Sequence, residues 1–182
     1  MTIKFRHFRF FLLLISCFAA TPPAISANPA NFKQLPVQNQ YSGAASLDEL
    51  SAALFSAIKA NDFNLISKFF PGQAELKSLQ KSNNKNLQAL TENLTTEQIQ
   101  GTFKTDFESL MQTTTEQMLN WAEHTLAETT PNQLQATQNV MAPIKLYVAA
   151  GEHAAPYYIL YEAVRIKNRY YLFQHITLQK SG

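Results

Sequence analysis

Proton transfer near neutral pH falls first to histidine, and beyond residue 27 the chain carries three of them, His124, His153 and His175. None has a second histidine four residues away, nor the cysteine and aspartate company that zinc requires, so no metal site is expected. The pairing with most chemical content is Glu162 with His175. A two-residue Lys167-Asn168 loop between two apolar runs predicts a hairpin in which Ile166 faces Arg169. Continued along the strands, that register sets Glu162 against Phe173 and His175 against Leu160. Glu162 and His175 become diagonal neighbours on one face, within reach of each other as a polarised acid-base pair. The same placement describes a solvated cross-strand pair, which is the plainer reading. His153, beside Glu152 and before Pro156, reads as a loop residue, and His124 with Glu123 and Glu128 as the wet side of a helix. The five glycines are scattered singly, so there is no phosphate-cradling loop, and no Gly-x-Ser-x-Gly elbow occurs. Asn93-Leu94-Thr95 matches a glycosylation acceptor by chance if the leader is bacterial. No cofactor is implied.

The elements that must hold these residues come in two blocks. Ser46-Leu47-Asp48-Glu49 has the form of a capping box, and Leu47, Leu50, Leu54 and Ile58 continue one helical face to about Lys59. A second short helix runs from Asn61-Asp62 through Phe63, Ile66, Phe69 and Phe70 to the stop at Pro71-Gly72, and weaker helical stretches follow at 73–79 and 87–94. From Thr95 or Thr96 a long amphipathic stripe, Ile99, Phe103, Phe107, Leu110, Met111, Met118, Trp121 and Ala122, predicts a helix of about 33 residues ending at Pro131. A Met and aromatic stripe of this kind is read as core rather than a ligand groove. Beyond Pro131 the period changes. Residues 144–149, 157–166 and 169–178 are rich in Val, Ile, Tyr and Phe and predict an antiparallel meander of about three strands. One face carries Ile159, Tyr161, Ala163, Leu172, Ile176 and Leu178 and covers the helices. The other carries Tyr158, Leu160, Glu162, Val164, Tyr171, Phe173 and His175. The fold class is therefore α+β.

Ahead of both blocks, Lys4, Arg6, His7 and Arg9 precede an apolar run from Phe10 to Ala20, too short to span a bilayer. Thr21 to Ala27 ends in small residues suited to signal cleavage after Ala27. This predicts a signal peptide over 1–27, a flexible lead-in over 28–45 and one α+β domain over 46–182, periplasmic or secreted and without a transmembrane span in the mature chain. The alternative is Leu14-Ile15-Ser16-Cys17, a relaxed lipobox whose cysteine, the only one in the chain, would carry a lipid anchor. With 15 Lys+Arg against 13 Asp+Glu and three of the basic residues in the leader, the mature charge is about −1, which argues against nucleic acid or an anionic membrane as a partner.

The AIKANDF and FFP segments of the helical hairpin, followed by the strand pair YEAVRIKNRYYLFQHI, resemble small exported bacterial proteins of uncharacterised function whose layout is similar to NTF2-like or cystatin-like folds. The resemblance covers about 46–178 in layout and implies no catalytic residues. Only three strands are legible, so an enclosed pocket is not implied. Two functional classes follow. The first is a non-catalytic binding module of the cell envelope, inhibitor- or immunity-like, that takes a protein, peptide or small apolar ligand on Tyr158, Tyr171, Phe173 and His175. The second is a small hydrolase or isomerase using Glu162 and His175.

Overall fold

The computed structural model describes residues 42–130, 140–150 and 153–180. The predicted leader, Cys17 and most of the predicted lead-in lie outside them, as does Glu152. The remaining end of that lead-in is bound to the domain, because Ala44 and Tyr170 exchange backbone hydrogen bonds of 2.8 and 3.0 Å. Gly43 makes this approach. Its φ is +61°, and a Cβ there would lie 2.7 Å from Cζ of Tyr171, so both backbone and space work against a side chain.

Helix α1 spans Leu47–Ala60. The Glu49 amide donates to Ser46 Oγ at 3.0 Å, while the Glu49 carboxylate accepts from the amide of Ala45 rather than that of Ser46. Leu47, Leu50, Leu54, Phe55 and Ile58 are buried along one side, and Asn61 ends the helix in the left-handed region at φ 49°. The next segment, Phe63–Phe69, is a 3-10 helix capped by Asp62. Short helices α2 (Gln73–Gln80) and α3 (Lys85–Thr91) follow.

Helix α4 covers Thr96–Glu116. Its capping box is complete: the Gln98 amide donates to Thr95 Oγ1, and the Thr95 amide to Gln98 Oε1. Ile99, Phe103, Phe107 and Leu110 are buried as the stripe requires. The helix is shorter than predicted, and Met118, Trp121 and Ala122 are not part of it. The hydroxyls of Thr113, Thr114 and Thr115 bond back to the carbonyls of Ser109 and Met111, a local competition that weakens a helix end. Met118 then turns the chain at φ 54° and is 92% exposed. Trp121 is buried nonetheless, in a 3-10 turn over Trp121–Glu123.

Where helix was expected there is a strand. β1 (His124–Thr130), β2 (Val140–Ala150), β3 (His153–Ile166) and β4 (Arg169–Lys180) form one antiparallel sheet in the order β1-β2-β3-β4. The sheet thus has four strands instead of about three, and the α+β class stands with the helices N-terminal to it. Ile144, Leu146, Ile159, Tyr161, Ala163, Leu172 and Ile176 make the buried face. Helix α1 is tied to it by a 2.8 Å hydrogen bond between the buried hydroxyls of Ser51 and Tyr161, and α4 packs along β4.

The β3–β4 turn has Lys167 and Asn168 both at positive φ, the form that follows strand twist. Pairing runs as predicted from Ile166↔Arg169 to Ala163↔Leu172, then shifts, so that Tyr161 meets Ile176. Phe173, Gln174 and His175 stand opposite Glu162 alone, with His175 at φ 54°. The shift is two residues, so alternation is preserved beyond the bulge and the predicted core face survives.

Candidate functional site

The face of the sheet opposite α1 is divided. Near the β3–β4 turn α2 packs against β3, and Val164, Ile166, Tyr171 and Phe173 are buried. Tyr171 and Phe173 are therefore buried where the sequence suggested a solvent-facing docking surface, and Gly43 lies against the Tyr171 ring. Burial also pushes the Tyr171 phenol up to about 12, helped by the negative charge of Glu75.

Farther from the turn the face opens. Register places Glu128, Tyr147, Tyr158 and Gln179 in one row across all four strands, and Thr130, Lys145, Leu160 and Thr177 in the next. The Tyr147 and Tyr158 rings lie 5.5 Å apart at 42°. Lys145 Nζ stands 5.0 Å above the Tyr158 ring, and the Tyr158 hydroxyl donates to Gln179 Oε1. A tilted pair of contacting tyrosine rings with a cation on its flank and a fixed hydroxyl is a rigid surface that can bury area at low entropic cost. Of the predicted binding residues only Tyr158 belongs to it. Tyr147 and Lys145 are brought in by β2, whose register no turn chemistry announced.

The bulge sets His175 opposite Glu162, near enough for its charge to act on that carboxyl, but among the described residues no hydrogen bond or ion pair joins the two as the predicted diagonal would. The bulge presents His175 outward, and its Nδ1 lies 3.0 Å from Oδ2 of Asp106 on α4, with side-chain exposures of 62% and 29%. Glu162 is half-buried, and burial raises its carboxyl pKa while the nearby His175 pulls it down. One Glu162 oxygen is buried without a hydrogen-bond partner. A carboxyl biased toward its proton beside an imidazole held by a second carboxylate is a pattern suited to acid-base work. Asp106 also lines a groove of about 250 Å³ between α4 and β4, with Ser109, Leu110, Thr113, Ile176, Thr177 and Leu178. Glu162, His175 and Tyr158 do not line it. Asp106 was missed in the sequence because it sits 69 residues from His175 on the polar side of an otherwise ordinary core helix.

The other histidines divide. His124 is buried rather than on a wet helical side, its Nδ1 bonded to the Asn120 carbonyl at 2.8 Å and its ring against Trp121. His153 opens β3 opposite Ala150 instead of lying in a loop. Among the described residues no three His, Cys, Asp or Glu side chains are grouped to hold a metal, and no helix is long and apolar enough to cross a membrane. The chain matches no family model, no curated protein and no solved structure.

Proposed function

We propose that this chain is an exported, non-catalytic binding module that engages a protein or peptide segment of the cell envelope, in the manner of an inhibitor or immunity protein, through the open sheet face centred on Tyr147 and Tyr158. The observation that carries the reading is the aromatic row itself: two tyrosine rings in contact at a 42° tilt, one flanked by Lys145 and anchored to Gln179, on a sheet whose other side is sealed by core. Its export rests on the charged and apolar leader with cleavage after Ala27, giving a mature chain that starts at Asn28; acylation at Cys17 is the competing form. The kinship to NTF2-like or cystatin-like proteins belongs to the same proposal and rests on helices preceding an antiparallel sheet.

The test is capture from envelope extract by wild type and by a Tyr147→Ala/Tyr158→Ala double variant. Both side chains are only half-buried, so the double variant is expected to stay folded and to lose its partner, as central aromatics commonly carry about 2 kcal/mol or more each. Retained capture would overturn the reading. A second reading, an acid-base enzyme, is favoured by one observation, the Glu162–His175–Asp106 cluster beside the α4–β4 groove. It requires that Glu162→Gln or His175→Ala abolish turnover of a hydrolysable ester or amide probe with the fold intact.

A further inference from the structure

A second groove lies between α2 and the β3–β4 turn, with a volume of about 410 Å³ and a lining of Ala74, Lys77, Ser78, Lys81, Ser82 and Lys167. Its chemistry differs from that of the sheet face. Three of the six lining residues are lysines, two more carry hydroxyls, and no carboxylate is among them. The described ion pairs, Lys104 with Glu108 and His175 with Asp106, involve none of these lysines, and neither do the cation-ring contacts. Lys77 and Lys81 lie in and just beyond the last turn of α2, where positive charge offsets the exposed carbonyls, so their presence has a local reason. Lys167 has none of that kind. It comes from a turn 86 residues later in the chain and adds a third like charge to the same groove, so an anion there would meet all three.

Ser82 supplies an independent sign. It is 6% exposed, lines the groove, and its Oγ has no hydrogen-bond partner, whereas buried hydroxyls are nearly always bonded. In the present rotamer that oxygen is shut off from solvent, so it serves a ligand only after turning about χ1, a move that forfeits no existing bond. Ser78, half-buried on the preceding turn, offers a second hydroxyl.

We infer that this groove binds a phosphate ester, with Lys77, Lys81 and Lys167 as the charged contacts and Ser82 as a hydroxyl donor. Ammonium groups on flexible stems suit phosphate as point charges without demanding the planar fork that carboxylates take from arginine. The groove is also larger than one carboxylate fills. A soluble phosphate ester and the phosphodiester headgroup of an anionic lipid share this chemistry.

The experiment uses the full folded chain and two probes, glycerol 3-phosphate in solution and vesicles of phosphatidylglycerol against phosphatidylcholine. Backbone amide shifts are followed in the first arm and vesicle flotation in the second. The groove reading expects saturable shifts confined to 77–82 and 167, or flotation with phosphatidylglycerol only, each weakening as salt rises. Lys167→Asn keeps a residue that tolerates the left-handed turn, and it should weaken binding roughly tenfold, the usual worth of one charged hydrogen bond. Ser82→Ala should weaken binding while leaving unliganded stability unchanged or higher, since it removes an unbonded hydroxyl. A soluble response assigns a free ester as ligand, and flotation alone assigns a headgroup. Absence of both, or binding indifferent to Lys167→Asn and Ser82→Ala, overturns the inference.

Discussion

Glu162 and Trp121 show how much of a residue's behaviour is set by neighbours that the chain supplies from far away. Because burial raises the Glu162 carboxyl pKa, the folded state holds that proton more tightly than the unfolded one. The resulting stability is present below the ordinary glutamate value and is lost as pH rises through the raised one. Glu162→Gln removes the titration, so its thermal midpoint should pull ahead of wild type as pH climbs from about 4 toward 7, in the range where glutamates ionise. A constant offset across that range would show that Glu162 ionises as if exposed. Trp121 packs edge-on against Phe55 at 6.2 Å and against His124 at 5.4 Å. Trp121→Ala should cost about 3–5 kcal/mol in denaturant unfolding. Trp121→Phe should cost less, since the indole N–H has no hydrogen-bond partner to lose.

At the level of elements, legibility followed locality. Ser46, Thr95 and the Lys167-Asn168 turn act on residues three or fewer positions away, and the helix starts and the hairpin were readable from them. The end of α4 was not, because Met118, Trp121 and Ala122 continue the helical spacing by coincidence after the chain has already turned. β1 was lost for the same reason, its Thr-rich sequence assigned to that helix. At the bulge opposite Glu162, β4 meets α4 and His175 reaches Asp106, and no hairpin rule contains that contact. The anchoring of Gly43 is another long-range feature. Gly43→Ala must place a Cβ at positive φ and against the ring of buried Tyr171, and should lower stability by roughly 1–2 kcal/mol. An unchanged denaturation midpoint would mean that residues 42–44 do not press on that ring.

Across the whole molecule, the core face was legible in the sequence and the candidate site only partly so. Alternation identifies which side of a strand is apolar, but not which stretch of the opposite side a helix will cover. Tyr158 and Tyr171 look alike in sequence; the second is buried, with Gly43 against its ring and Glu75 of α2 near its phenol, and the first is only half-buried. The sheet also has two unequal borders. β4 is flanked by α4 and by the backbone bridge from Ala44, whereas among the described residues nothing pairs with the outer side of β1. An unpaired strand is a template for joining other chains. β1 is a poor one: it has only seven residues, its register slips at Ala127, and Glu128 projects exposed from the middle. A charge and a kink in a short border strand discourage edge-to-edge association, so the chain resists self-aggregation at its weakest margin without hiding that margin.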